Sequence, residues 1–452
     1  MDNDEKKELN MVIDSGWFTE SAKTRQFEKM IADFVGVKYA CAVTSGTTAL
    51  YVGLKALGVG RGDEVIVPDL TFVASPNSVE AVGAKPILVD IEQDSLNIDL
   101  KKIKQSITKR TRAIMPVDFN GRPVDIKNIR KLANQHNLSL IEDAAHGLGC
   151  FYDKKHVGTM SDIGVFSFST PKIITTGQGG MIVTNNKKLY EKCKSVKDFG
   201  RKSGTKQNMR MAFEHPTIGY NFKFTEFQAA IGIAQMKKLK KRMIAKKKMF
   251  RIYEESLSKL SSVNFVKTDL GRTTPWMIDI LVDSKKKRDA LIKHLEKNHV
   301  ETRIFYPPIH RLSPYKNKDM KFEITSKISD RGIWLPSSVT LKENDVKYVC
   351  KKIKNFFEWQ ILVFNILVIA DVGNYFKTVS KYVKNSKIHI INFPKDGAGI
   401  YTYDENYELF ENYKVVDQVK KINQIKEDFD LAVVMGTGER IAYLADLNYV
   451  SY

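Results

Sequence analysis

From about residue 39 to 185 the sequence alternates short apolar, β-branched runs with amphipathic stretches, and this rhythm restricts the fold more than any other feature. The runs read YACAVTS, DEVIVPD, KPILVD, RAIMPVD, SLIEDAA, IGVFSFS and GGMIVTN, with helical patterns through Leu57, Val82 and Asn134 between them. Apolar strands interleaved with helices predict an α/β domain built on a largely parallel sheet with helices on both faces. A long helical pattern covers 226–260. Beyond Val263 the pieces shorten to WMIDILVD, a helix from Lys286 to Lys297, ETRIFYPP and a helix from Asp345 to Phe356, which suit a smaller α+β domain. At 452 residues the chain has room for two or three domains. The expected boundaries are 1–250 for the large domain, 251–358 for the small one and 361–452 for an appended segment. That segment carries strand-like NILVIADVG, a helical stretch from Lys377 to Val383, strand-like KIHIINF and then LAVVMGTGERIAYLA, together the start of a Rossmann-like βαβ domain.

A balance of 43% apolar and 27% charged residues excludes a fibrous or largely disordered chain. The net charge of +20 is less ordinary and raises nucleic acid or an anionic membrane as partners. It is concentrated: residues 151–360 hold 43 basic against 20 acidic side chains, while the flanking stretches are close to neutral. Nine basic residues fall in KKLKKRMIAKKKMFR (237–251), around Met236, Leu239, Met243 and Ile244 at helical spacing with no acid between them, which predicts a solvated helix face. No helix-turn-helix or zinc spacing accompanies them, so nucleic acid is not expected as a partner and a DNA-binding regulator is the weaker reading. Cys41, Cys150, Cys193 and Cys350 lie far apart, at no metal-ligand spacing, and no metal is expected. The charged start MDNDEKKELN lacks the apolar core of a signal peptide, and no apolar run reaches the roughly 18 residues that span a bilayer. The longest, Trp359 to Val372, is interrupted by Asn365 and reads as buried strand. A cytoplasmic protein without a membrane span is expected.

Chemistry concentrates in three places. In SFSTPKIITTGQGGMIVTN (167–185), Lys172 sits in a Ser/Thr/Gly-rich loop between two apolar strands, where it can reach a pocket at the sheet edge. Taken alone, it would read as one more surface lysine. Asp143 ends the apolar strand of SLIEDAAH, and ligands of open α/β sheets bind outside the carboxyl ends of strands, though a strand-tip carboxylate can equally cap a helix. VTSGTTAL (43–50) is a strand, a Ser/Gly/Thr turn and a helix start, whose free N–H groups can cradle a phosphate or merely be capped. A phosphate cradle, a carboxylate and a lysine are the groups that pyridoxal phosphate requires: one docks the phosphate, one holds the ring nitrogen protonated, one forms the Schiff base.

SGTTAL, GDEVIVPDLTFVAS, IEDAAH, FSFSTPKIITTGQGG, GYNFKFTEFQAAIG and ETRIFYPPIH occur in an order and spacing that resemble the DegT/DnrJ/EryC1/StrS sugar aminotransferases from about residue 12 to 356. The resemblance implies a fold type I enzyme dependent on pyridoxal 5′-phosphate. It assigns Lys172 as the Schiff-base lysine, Asp143 as the partner of the ring nitrogen, and Ser167 with the Gly46 and Thr47 backbone as the phosphate site. Phe72 corresponds to the aromatic that stacks on the ring, with core packing as its other reading. His146 falls near the ring oxygen, or is a histidine satisfied at a helix start. Asn221 corresponds to a residue that reaches the phosphate of a neighbouring subunit, which implies a homodimer with shared active sites. One departure is Gln178, where the family usually has Glu; the turn depends on its glycines, so the site is expected to survive.

The same resemblance implies ping-pong transfer with L-glutamate as donor and a nucleotide-linked keto sugar as acceptor, Lys172 moving the protons. Lysine at this place separates the aminotransferases from the family's dehydrases, which use histidine there. ETRIFYPPIH and TPWMIDILVD resemble the branch that aminates C4 of a GDP-linked 4-keto-6-deoxymannose in surface glycan biosynthesis, and Tyr306 and His310 would line its sugar site. Amination at C3, a UDP- or dTDP-linked acceptor, or a fusion with a glycosyltransferase are the alternatives. Residues 361–452 faintly resemble the N-terminal part of a GT-B glycosyltransferase without its donor-binding half.

Overall fold

The computed structural model describes residues 1–202, 214–316 and 321–361, with strand segments 366–370, 388–392, 399–403, 409–410, 431–435 and 449–451. The chain divides into two units, Met1–Lys351 and Lys352–Tyr452.

Two helices open the first unit, α1 (Asn3–Ser15) and α2 (Ala22–Val35). The expected alternation follows: β1 (Tyr39–Val43), α3 (Gly46–Ala56), β2 (Glu64–Pro68), α4 (Ala74–Ala81), β3 (Lys85–Val89), α5 (Leu100–Ser106), β4 (Thr111–Ile114), α6 (Ile126–Gln135) and β5 (Ser139–Asp143). A small hairpin, β6 (Phe151–Tyr152) with β7 (Lys155–His156), precedes β8 (Ile163–Ser167) and β9 (Gly180–Thr184), and α7 (Lys187–Lys197) and α8 (Glu226–Leu257) come next. Seven strands form one sheet in the order β1-β9-β8-β5-β4-β2-β3. The pairings from β3 to β8 are parallel, whereas β9 runs antiparallel to both β8 and β1. The apolar pattern alone places GGMIVTN among the parallel strands. Residues 168–179 between β8 and β9 contain no crossover helix, and so short a connection returns the chain antiparallel.

The period of two sends alternate side chains to opposite faces. Val65, Val67, Ile141, Ile163 and Val165 pack in one core with Leu50, Val52 and Leu54 of α3. Ile66, Ile114 and Leu140 pack in another with Ile103 of α5 and Ile129 and Leu132 of α6. A third core joins Phe166, Met181 and Val183 to Phe27 and Ile31 of α2 and Ile233 of α8. Each such side chain contributes about 1.5–3 kcal/mol on burial, which is what fixes the strand register.

The basic helix α8 begins in a capping box of Thr225 with Gln228. Its charge is not simply a solvated face. Lys238 pairs with Asp2, Asp4 and Glu5, and Lys237 with Glu8, all from the start of the chain and α1, while Lys246 is buried. Lys240 and Lys241 are exposed as expected, and so is the apolar Ile244 beside them. Beyond α8 lie β10 (Val263–Phe265), β11 (Ile278–Val282), α9 (Lys285–Lys297), β12 (Arg303–Ile304), α10 (Glu323–Arg331), β13 (Gly332–Leu335) and α11 (Glu343–Ile361). The strands form an antiparallel sheet in the order β10-β11-β13-β12.

In the second unit β14 (Ile366–Ala370), β15 (Ile388–Asn392), β16 (Gly399–Tyr403), β17 (Leu409–Phe410), β18 (Leu431–Met435) and β19 (Tyr449–Ser451) form one sheet, with β14 flanked by parallel β15 and β18. Trp359 belongs to α11 and not to the strand that the apolar run suggests; the strand starts at Ile366. The helical stretch expected at 377–383 and the glycine turn at 436–438 lie outside the described residues. No helix among the described residues is long and apolar enough to cross a membrane.

Candidate active site

Strands β1, β2, β4, β5 and β8 run the same way, so their carboxyl ends share one edge of the sheet, the edge where open α/β sheets hold ligands. Register places the end of β1, the start of β9 and the end of β8 in one row, Val43 opposite Gly180 and Gly180 opposite Ser167. Only glycine fits at 180, because a Cβ there would stand 2.2 Å from the Ser45 carbonyl oxygen. α3 starts beside this row. The Ser45 hydroxyl accepts the Thr48 N–H at 3.1 Å, which leaves the Gly46 and Thr47 amides of the first turn without an intrahelical partner. A Cβ on Gly46 would lie 3.0 Å from Ser167 Cβ and 3.2 Å from its Oγ, so glycine keeps open a space walled by free amides and a hydroxyl, at the positive end of a helix. Gly46, Thr47 and Ser167 thus meet as expected.

Asp143, at the tip of β5, is buried. Its Oδ2 accepts the Ser75 hydroxyl at 2.7 Å and its Oδ1 the Ala145 N–H at 3.2 Å. Ser75 in turn lies 2.9 Å from the Thr71 hydroxyl. Burial raises the Asp143 carboxyl, while Ser75, Ala145 and the Lys172 charge oppose that rise. His146 is buried as well, and its Nδ1 lies 3.2 Å from the Asn120 amide. A backbone N–H only donates, so Nδ1 is the lone pair and the proton sits on Nε2. Burial and the nearby Lys172 hold this imidazole well below its usual range, hence neutral.

Lys172 follows β8 in a turn closed by its amide on the Ser169 carbonyl, 3.0 Å away. Its Nζ lies 4.0 Å from the Trp276 ring centroid, and Trp276 stacks on His146 with centroids 4.0 Å apart and planes 19° from parallel. Burial pushes the Lys172 ammonium down to about 7, with Asp143 opposing. Lys172, His146 and Ser167 line one small cavity with Trp276 and Thr274. Phe72 is 51% exposed, which removes core packing as its role; its ring lies 5.3 Å from that of Tyr306, which also stands 6.4 Å from His146. His310 is tied up: its Nδ1 and amide lie 2.6 and 2.8 Å from the two oxygens of Asp69, just past β2, so only its Nε2 edge remains for a ligand. Asn221 is exposed, its backbone bridged to Asp198, and among the described residues its side chain makes no hydrogen bond to the cradle. Gln178 is exposed, and its carbonyl, not its side chain, holds the turn through Thr176 and Gln228. Ser75, Asn120 and Trp276 are the site residues that motif reading passes over. Ser75 was within view, since TFVAS puts a second hydroxyl four residues after Thr71, one helical turn on.

The sequence profile of the DegT/DnrJ/EryC1/StrS aminotransferase family matches residues 1–354. The chain belongs to that family. It is 38% identical over 362 residues to a GDP-perosamine synthase of Vibrio cholerae, covering 79% of this chain and 97% of the relative. A GDP-perosamine synthase of Escherichia coli O157:H7 is 38% identical over 354 residues, 78% of this chain and 95% of that one. Among solved structures, the Helicobacter pylori aminotransferase PseC of pseudoaminic acid biosynthesis superposes with a TM-score of 0.74 at 28% identity, over 79% of this chain and 97% of PseC. The mixed, mostly parallel sheet is that of fold type I, and the chain is an aminotransferase whose cofactor is pyridoxal 5′-phosphate. The residues present fit that cofactor. The opening that a Cβ on Gly46 would fill suits a phosphate, a buried carboxylate suits a ring nitrogen, and a neutral histidine carries its proton on the nitrogen left free to donate.

Proposed function

We propose that the protein transfers an amino group from L-glutamate to the C4 keto group of a GDP-linked 4-keto-6-deoxy sugar of the perosamine type, for surface glycan biosynthesis. The observation that carries this reading is the 38% identity to two GDP-perosamine synthases over nearly their full length, joined to a lysine, carboxylate and phosphate cradle at one sheet edge. Bound pyridoxal phosphate supplies a carbonyl that takes up an amino group and a ring that accepts the electron pair left when a C–H proton departs. The chain does the rest. Gly46, Thr47 and Ser167 would anchor the phosphate; Asp143, held by Ser75 and Ala145, would keep the ring nitrogen protonated; His146 would offer its Nε2–H to the ring oxygen. Phe72 would hold the ring, and Tyr306 and the free edge of His310 would take the sugar. Lys172 Nζ removes and returns the proton, and a group held near 7 can do both at neutral pH, a task worth roughly 10²- to 10⁴-fold in rate.

Asn221 serves the phosphate of a second copy, so the working unit is a homodimer with shared sites. The aminotransferase portion comprises a large domain at 1–250 and a small one at 251–358, and residues 361–452 form a Rossmann-like appendage; the parallel β15-β14-β18 core supports that last assignment. Assay with glutamate and a panel of GDP-, UDP- and dTDP-linked 4-keto sugars tests the reading, with turnover expected for the GDP-linked acceptor. Turnover of none would overturn it. Lys172→Ala is expected to abolish both transfer and the visible absorbance that marks a covalently held cofactor.

A further inference from the structure

Trp276, two residues before β11, has no part in the cofactor cradle or the sugar contacts, yet it touches both groups that flank the chemistry. Its ring stacks on His146 with centroids 4.0 Å apart and lies 4.0 Å from Lys172 Nζ. Its Nε1–H donates at 2.8 Å to the carbonyl of Pro171, the residue before the lysine. The backbone around it is pinned from two sides. Lys246 Nζ of α8 donates to the Trp276 carbonyl at 2.6 Å, and the neighbouring Met277 exchanges two hydrogen bonds with the Asn120 side chain, at 2.6 and 2.8 Å. Asn120 is also the residue whose amide fixes the His146 tautomer. Trp276, only 3% exposed, therefore cannot shift without disturbing His146, the lysine loop or both.

We propose that Trp276 is a positioning residue of the transfer reaction: its indole face is the resting place of the Lys172 ammonium whenever the lysine is free of the cofactor, and it fixes the plane of His146. Among the described residues Lys172 Nζ has no hydrogen bond and no ion pair. An ammonium drawn partly out of water without a partner is costly, and the face of an indole is the best aromatic substitute for one. The lysine must leave and return in each turnover, and a group held within reach of its target reacts as if highly concentrated. An aromatic face favours the charged form, so Trp276 works with Asp143 against the burial that lowers Lys172. Besides Asp143 and His146, the charged or titratable side chains around the lysine are those of the cleft that Lys172 itself lines: Arg242 and Lys246 of α8, His299, Glu301, Arg303, Asp345 and Tyr348.

The inference rests on Lys172 as the lysine of the reaction, and the test separates the two. Wild-type protein that takes up no pyridoxal phosphate would overturn the Lys172 assignment and this proposal with it; wild-type protein that does take it up leaves that assignment standing and provides the holoenzyme in which Trp276 is tested by itself. With the holoenzyme held in its amino form by excess glutamate, Lys172 is free, and competitive acetylation read by mass spectrometry gives its titration midpoint. Trp276→Leu is expected to lower that midpoint by about one pH unit, and Trp276→Phe, which keeps a π face but loses the Pro171 bond, by less. The half-reaction with glutamate is expected to slow in the same order while cofactor affinity holds. An unchanged midpoint, or a slowing matched by equal loss of cofactor affinity, would overturn the proposal. If Trp276→Leu does not fold, Trp276→Phe carries the test: a smaller shift in the same direction supports it, and no shift overturns it.

Discussion

Asp118 and Glu142 bury two carboxyl groups beside Asp143, and neither forms an ion pair among the described residues. The Asp118 amide donates to the Asp143 carbonyl at 3.2 Å, which ties the two backbones together. Asp118 Oδ1 accepts the Val124 N–H at 3.0 Å and Glu142 Oε1 the Gly158 N–H at 2.7 Å, while Oδ2 and Oε2 are buried without a donor and the two groups face each other. One shared proton resolves this. Burial and the Glu142 charge push Asp118 well above the usual carboxylate range, so Asp118 holds the proton. The folded state then binds more protons than the unfolded chain above the ordinary aspartate pKa, and stability falls as pH rises from there through the raised folded value. Asp118→Asn replaces the proton with an amide N–H. The variant is expected to lose this component of the pH dependence, gaining on the wild type as pH rises, and parallel urea-unfolding profiles across pH would exclude a shared proton. Asp118→Ala, which leaves Glu142 unpaired, is expected to cost about 1–3 kcal/mol at neutral pH.

Between elements, a buried polar tie links the loop after β4 to β11. Arg122 Nη2 lies 2.7 Å from Asp279 Oδ2, with both side chains buried, and Arg122 Nε donates to the Ser95 carbonyl at 3.0 Å. Breaking such a pair leaves a buried charge alone, so Asp279→Ala is expected to cost about 3–5 kcal/mol in chemical unfolding, and Asp279→Asn, which keeps an acceptor, less. Equal losses for the two would assign the cost to packing alone. Nothing in TPWMIDILVD announces that pairing, because its partner is 157 residues away in the sequence. The same limit governs the rest of what sequence shows. Strand and helix positions in the sheet domain were legible because two-residue and helical periods are local, and the places of Lys172, Asp143 and the Gly46 turn because Asp143 ends a strand and the other two follow one closely. The direction of β9 was not, since it depends on whether a connection crosses the sheet. Trp276 was not either: its neighbours Lys172 and His146 come from other strands' ends, and alone it reads as core. His310 could be placed by motif, but its engagement with Asp69 is purely tertiary.

At the scale of the whole molecule, the +20 charge turns out to be partly spent inside the fold, on α1 carboxylates and a buried Lys246, and says little about the substrate. The larger question is how many chains make one site. Every group of the proposed chemistry lies within Met1–Lys351, but not every one is engaged at the site. The exception is Asn221, exposed and unengaged with the cradle, although Lys223, two residues on, bridges to Val43 at the end of β1. Phe72, half exposed, likewise presents an apolar ring to the outside of the chain. A two-fold dimer places the same patch of each copy against the other, so an exposed residue beside one cradle can serve the cradle opposite. If Asn221 acts across the interface, Lys172→Ala and Asn221→Ala chains fail alone but complement when mixed. Random reassortment makes half the dimers mixed, and each mixed dimer restores one of its two sites, so activity should return to about one quarter of the wild-type level. Mixing after mild dissociation and following transfer to the sugar measures it. If Asn221 acts within its own chain, no mixed site regains both residues, and activity stays at the level of the separate variants.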